Sequence, residues 1–577
     1  MIVRSLCCLL FFVFPFYALA QNTDEAAKIK QRRQAVLIGQ ILGSVTNLKL
    51  GENRALVNAK VGSLVWKTDE KQARSLFQNA VGELINAQTL AEADKKNTGY
   101  QNDLLTGQST RPQILNAVAN RDAELALEYL VKSRPAKISK ALAISSEKTS
   151  KINDSNYGYL AQNEANLEQS FIQLAADQNP ERAVKLLKES LKKGLSNQTL
   201  NLLKKLHEKD SDSADKLASE IVGKLLQSGF NADDYLNYQN INIATNFLTE
   251  FIRERTPTEK FLKFDDAQMR SLADKLISFY LQPNNRYGYS AYSILPIAEK
   301  LAPGRVEKIK QTSKNNLRRG FDMGYDDSEV SKLLNDGEAT AEKLLGEAEK
   351  YPVNARRQIY QTAANKFAQQ GNLNRATEVL TDNFSDETLE EAIRNLNWQY
   401  SHNLISSGKF EEAERIIDES PENTRLNSLV NLANAIYQKN PTDNKSYAVA
   451  VLGKARALIA DKPEDSGEMG GLMQIISAYS TVEPTEAFRL FESLIPQINE
   501  LSDAAAVING FQRNSNVRQG EFLLTSGSPT GVYFSDYYVL GKLAGNDFDR
   551  TMSLIDGFNR REISISLKLQ LAEGILN

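Results

Sequence analysis

Cysteine is almost missing from this chain: of 577 residues only Cys7 and Cys8 carry a thiol, and both stand within the first ten positions. Beyond them there is nothing to form a disulfide or a thiolate metal site. Histidine is as sparse, with His207 and His402 far apart and no His-x-x-x-His pair, so no histidine metal centre is expected. Two tryptophans leave little for stacking on sugar faces. An excess of either charge is also missing, since 69 Lys and Arg meet 72 Asp and Glu. That balance supplies no long-range field to hold a nucleic acid or an anionic membrane. After the first twenty residues no apolar run approaches the ~20 positions needed to cross a bilayer. No phosphate-cradling glycine loop, G-x-S-x-G elbow, H-E-x-x-H or EF-hand phrase occurs. No catalytic residue, cofactor or metal is therefore expected.

The single long apolar run opens the chain. Arg4 supplies a positive start, Leu6 to Phe16 an apolar stretch, and Ala18-Leu19-Ala20 a small-residue cleavage site before Gln21. This is the pattern of a secretory signal, and Pro15 with the polar Gln21-Asn22-Thr23-Asp24 argues against a spanning anchor. The expected product is an exported protein, periplasmic or extracellular, beginning near Gln21.

What is present in quantity is helical periodicity. A small residue followed three and four positions later by large apolar ones appears at Ala341, Ala376, Ala413, Ala448 and Ala487, at separations of 35, 37, 35 and 39 residues. Near-constant spacing of one helix face predicts a helix pair per repeat. Each phrase follows another amphipathic stretch, such as Leu426, Leu429, Val430, Ala433 and Ile436. Turn signals separate the two: Gly371-Asn372, Ser407-Gly408, Asn440-Pro441 and Glu483-Pro484. Asn179-Pro180 and Ser420-Pro421 read as N-caps followed by proline at the first helical position.

Gly371-Asn372-Leu373-Asn374-Arg375-Ala376 and Gly408-Lys409-Phe410-Glu411-Glu412-Ala413 resemble the inter-helix phrase of tetratricopeptide repeats. The resemblance implies that Gly371 and Gly408 end the first helix of a pair, and that Ala376 and Ala413 lie where the two helices cross, with Ala448 and Ala487 in equivalent packing positions. It covers about 325 to 500. The family's tryptophan, Leu-Gly pair and closing proline do not recur. The expected fold is all-α, an elongated α-solenoid of antiparallel helix pairs, and the implied partner is a protein or peptide.

Fainter copies begin at Ala73, Ala126 and Ala183, too widely spaced for one repeat each. The expected organisation is a signal at 1–20, a helical region at 21–133, a polar basic insert at 134–160, a helical region without clear repeats at 161–324, the repeats at 325–500 and a helical cap at 501–577. The tyrosine groups at Tyr280, Tyr287, Tyr289 and Tyr292 and at Tyr533, Phe534, Tyr537 and Tyr538 read as anchors beside loops.

Gly467-Glu468-Met469-Gly470-Gly471-Leu472-Met473-Gln474 resembles a phrase of lysozyme-like lytic transglycosylases, some of which carry a helical superhelix. The catalytic glutamate that the resemblance requires some twenty residues earlier has no counterpart, because Ala450 to Ala460 holds no carboxylate. Without that acid the glycosidic oxygen has no proton donor. The expected function is a non-catalytic interaction scaffold, the alternative being a glycan-cleaving enzyme of the cell envelope.

Overall fold

The computed structural model describes residues 25, 27–93, 102–106, 109–146, 155–177, 179–192, 194–230, 235–256, 260–282, 291–312, 330, 333–351, 353–512, 516–524 and 537–576. The signal segment, Tyr287, Tyr289, Tyr533 and Phe534 lie outside them. The described chain is all-α apart from one two-stranded ladder. It divides into two units: one holds 35–324 with 508–527, the other 1–34, 325–507 and 528–577.

The elements of the 35–324 unit follow a helix α1 over 27–45. They are α2 (Gly51–Val65), α3 (Glu70–Ala93), α4 (Asn102–Thr106), α5 (Thr110–Ala119), α6 (Ala123–Lys132), α7 (Ala136–Ser146) and α8 (Ser155–Ala176). Then come α9 (Pro180–Ser190), α10 (Thr199–Lys209), α11 (Ser211–Gln227), α12 (Tyr235–Ile252), α13 (Asp266–Tyr280), α14 (Leu295–Leu301) and α15 over 306–312. Successive helices pack on one another, α2 on α3 and α5, α8 on α9 and α10, and α10 on α11. The insert expected at 134–160 is not a linker. It contains α7 and the start of α8, and Ile138 and Ala141 are buried. Lysines at the exposed positions of α7 hid its apolar side.

In the other unit, α16 is described over 333–335 and is followed by α17 (Ala341–Ala348), α18 (Val353–Gln369), α19 (Leu373–Asn383), α20 (Asp386–Ser406), α21 (Phe410–Asp418) and α22 (Glu422–Lys439). Then come α23 (Lys445–Ala457), α24 (Ser466–Val482), α25 (Pro484–Phe511), α26 (Tyr537–Asn546), α27 (Phe548–Asp556) and α28 (Arg561–Leu576). Helix α18 packs on both α19 and α20, α20 on α21 and α22, and α22 on α23 and α24. From α18 to α24 the even-numbered helices therefore stack in sequence, while α19, α21 and α23 each close a hairpin. This is a tetratricopeptide-like helical repeat.

One corner recurs through both units. A residue takes an extended conformation, for example Asp210 at φ −145° and ψ 86° or Asp547 at φ −148° and ψ 100°. Its N–H donates to the carbonyl four residues back, or five back at Asn372 and Lys409 where a glycine precedes the corner, and its own carbonyl starts the next helix, as at Asp210 with Leu206 and Ala214. The side chain accepts the N–H three residues on at Asp69, Asp122, Asn179, Asp210, Asn372 and Asp547. Such a cap satisfies donors that the helix start leaves open. The residue four positions past the corner is small and fully buried each time: Ala73, Ala126, Ala183, Ala214, Ala376, Ala413, Ala487 and Thr551. Ala448 is equally buried but follows Asn444, which turns at φ −97° and ψ 1°. Anything larger than threonine there would push the paired helix away.

Three sequence expectations change in this light. Ala341 is buried but occupies the first position of α17 behind the cap Thr340, so it is not equivalent to Ala376. Asn179 caps α9 with Pro180 at the first position, whereas Pro421 itself stands at the cap of α22 and the Ser420 hydroxyl donates back to Ile416. Finally, 501–577 is not simply a helical cap, because β1 (Val517–Arg518) and β2 (Glu521–Phe522) pair antiparallel within the 35–324 unit. Gln519 and Gly520 both have positive φ, 51° and 72°, as a two-residue hairpin turn demands.

Candidate functional site

The repeat residues singled out in the sequence are spread along the stack and form no common site. Ala376, Ala413, Ala448 and Ala487 have no exposed surface. Gly371 and Gly408 act through the backbone. Each takes a left-handed conformation, φ 83° and 75°, just past its helix. The Gly371 N–H donates to Ala368 and the Asn372 N–H to Phe367, and Gly408 and Lys409 repeat the pattern onto Ile405 and Leu404. This is the Schellman closure. A Cβ at Gly371 would meet nothing within 4 Å, so the glycine answers a conformational need, where close packing was expected. The Gly467 to Gln474 phrase lies at the start of α24, with Leu472, Met473 and Ile475 buried and Gly471 pressed against Ile459 and Leu426. These residues build core.

Three constructions in the 35–324 unit have chemistry that spacing did not reveal. The first is a buried charge cluster. Arg111, 1% exposed, donates through Nη1 to Glu164 Oε2 at 2.6 Å and through Nη2 to Glu164 Oε1 at 3.0 Å. It also donates to the Leu130 carbonyl and the Ser133 hydroxyl. Arg134 adds a 2.7 Å bond to Glu164 Oε1. So dense a set of partners offsets the cost of burying ions and locks α5, α6 and α8 in one arrangement. The cluster is structural.

The second is a groove of ≈ 540 Å³ where α6, α8 and α9 meet. Leu125, Leu127, Leu130, Val131 and Leu186 give it apolar walls, with Val131 59% exposed. Asp122, Glu124, Glu128, Glu168 and Glu189 line it together with Arg74 and Arg182. Arg74 already pairs with Asp122 and Glu70, and Glu128 with Lys132. The Glu70 hydrogen bond, more than that of Asp122, holds the Arg74 guanidinium above its ordinary range. Acids outnumber bases here, and leucines lie between them.

The third is a clasp at the head of α2. Leu50 stands at the cap position and has no side-chain oxygen to offer. The Glu521 carboxylate, from some 470 residues away, sits just ahead of the helix, accepting from the N–H of Lys49 at 2.6 Å and of Leu50 at 3.2 Å. The buried Asn53 amide donates to Glu521 Oε1 and to the Phe522 carbonyl, both at 2.7 Å, and its oxygen accepts the Leu524 N–H at 2.9 Å. Arg518 pairs with Glu52. Burial brings the Arg518 guanidinium down to about 10, which leaves it charged at neutral pH. Arg54 fixes the receiving turn by donating to the Leu48 and Lys49 carbonyls while Glu83 holds its other face.

Elsewhere, Trp398 and His402 stack at 5.8 Å on α20 with Trp398 53% exposed. His207 is buried beside Asp215, 3.5 Å away. No group of three or more histidines, cysteines or acids placed to hold a metal occurs among the described residues. None of the described helices is long and apolar enough to cross a membrane.

No family model matches the chain. No curated protein matches it either. Among solved structures it is similar to a circular tandem repeat protein with novel repeat topology and enhanced subunit contact surfaces, at 13% identity, 92% of this chain, 99% of that one and a TM-score of 0.21. It is also similar to the crystal structure of the APC/C hetero-tetramer Cut9–Hcn1, at 14% identity, 87% of this chain, 92% of that one and a TM-score of 0.15. At such scores the fold rests on the helix pairing described above.

Proposed function

We propose that the protein is a non-catalytic interaction scaffold working outside the cytoplasm, and that it binds a protein segment carrying apolar and basic side chains. The groove of α6, α8 and α9 supports this reading. Its leucine walls offer apolar burial, and the acids that line it favour a cationic partner and disfavour an acidic one. A partner identified by crosslinking in the exported fraction and then purified is expected to bind more weakly as salt rises. Glu124→Lys with Glu189→Lys should weaken it about tenfold or more while the helical spectrum is kept. Unchanged affinity in that variant would overturn the groove reading. The export step is supported by the signal pattern alone, and mass spectrometry of the exported protein should find Gln21 at its N-terminus. Turnover of purified peptidoglycan by the wild-type chain would overturn the non-catalytic reading.

A further inference from the structure

We propose that the head of α2 is a second peptide-recognition site, filled in this chain by its own segment Asn516–Leu524, and that its ligand class is a tight-turn peptide reading Arg-x-Gly-Glu-Phe-x-Leu. The seated segment defines what the site reads. Glu521 is recognised as a carboxylate by the two backbone N–H groups of Lys49 and Leu50, immediately ahead of α2, and by the Asn53 amide. Arg518 is recognised by Glu52, which is 3% exposed in its side chain. The backbone is read as well, since one asparagine amide binds the carbonyl of Phe522 and the N–H of Leu524. Leu524 packs on the cluster built by Ala55, Leu56, Ala59 and Leu84.

The occupant behaves as a ligand would. Its ladder is two residues per strand, and an isolated hairpin even of ordinary length is at best marginal in water. Its shape is therefore supplied by the receiving surface. Because that surface contacts side chains and backbone of a segment remote in sequence, tethering adds local concentration and no contact. A separate peptide of the same pattern meets the same donors and acceptors once the tethered copy is weakened.

The test uses the full chain and a labelled synthetic peptide spanning Asn516–Leu524. Glu521→Ala disables the tethered copy and leaves the receiving residues intact, so this chain is expected to bind the peptide at least tenfold tighter than wild type does. Adding Asn53→Ala to it should abolish binding, as should placing alanine at the Glu521 position of the peptide. No binding by a Glu521→Ala chain with a wild-type helical spectrum would overturn the proposal, as would binding that ignores Asn53. If Glu521→Ala does not fold, a photoreactive version of the peptide at millimolar concentration on the wild-type chain replaces it. Crosslinks within 49–54 are then expected, and crosslinks confined to other regions would overturn the site.

Discussion

At the residue scale, what matters is whether a buried polar group keeps its partners. Glu164 is held by two arginines of unequal exposure, Arg111 at 1% and Arg134 at 15% of the side chain. Arg111→Met removes both carboxylate bonds of the deeper partner and leaves Glu164 on Arg134 alone, so a loss of about 3 to 5 kcal/mol is expected. Arg134→Met should cost clearly less, because Arg111 stays. The two tryptophans make this measurable: Trp66 lies in the 35–324 unit and Trp398 in the other. Urea unfolding followed by Trp66 fluorescence in a Trp398→Phe background reports the relevant unit. Equal losses for the two variants would mean that the cluster is not organised by Arg111.

A corner residue gives a pH prediction. The Ser213 side chain, and then its backbone N–H, hold the Asp210 carboxylate below the ordinary range. A depressed folded value means that the unfolded chain binds the proton first. The contribution is therefore present above the unfolded value, about 3.9, and disappears as pH falls through the lower folded one. Asp210→Asn keeps an N-capping oxygen without a titration. The melting temperatures of wild type and variant should differ by a constant amount above about pH 5 and converge below about pH 4. A difference that grows as pH falls would contradict the sign.

At the scale of the element, the glycines that close α18 and α20 test the hairpin geometry. Gly371 has open space around its missing Cβ, so Gly371→Ala introduces no clash and probes the left-handed backbone alone. A loss of about 1 to 2 kcal/mol is expected from thermal unfolding. Gly371→Asn should recover a good part of it, since asparagine tolerates that conformation. If alanine and asparagine are equivalent there, the closure is not what the glycine supplies. Legibility at this scale was uneven. Gly371 and Gly408 stand out in sequence because a left-handed helix end has few other solutions. The Asp210 to Ala214 corner stands outside the regular spacing of alanines, and so that spacing does not reveal it. An aspartate or asparagine four residues ahead of a buried alanine would have found it, since both ends of that phrase are fixed by one turn of backbone.

For the molecule as a whole, stability in a repeat array is a sum over neighbours. Ala413→Leu overpacks the crossing of α20, α21 and α22 by about 1 to 3 kcal/mol. Hydrogen exchange should then quicken within about 341–490 and stay unchanged over 51–227. Loss of protection spread evenly along both stretches would mean one cooperative core.

The sequence by itself determined the helical class, the hairpin repeat and crossing positions such as Ala376 and Ala413 that must stay small. All of these follow from local periodicity and from turn chemistry acting over a few residues. Lysines on one side of α7 conceal a helix whose buried side is made by Ile138 and Ala141, because they dominate the composition of that stretch. Only the tertiary structure brought Glu521 to the head of α2, joined Arg111 to Glu164, and opened a groove between α6 and α9. Those partners are separated by tens to hundreds of residues, and a single sequence carries no term that couples positions so far apart. Leu50, a cap position with no side-chain oxygen, marks the head of α2 as unusual, but nothing near it in sequence points to Glu521.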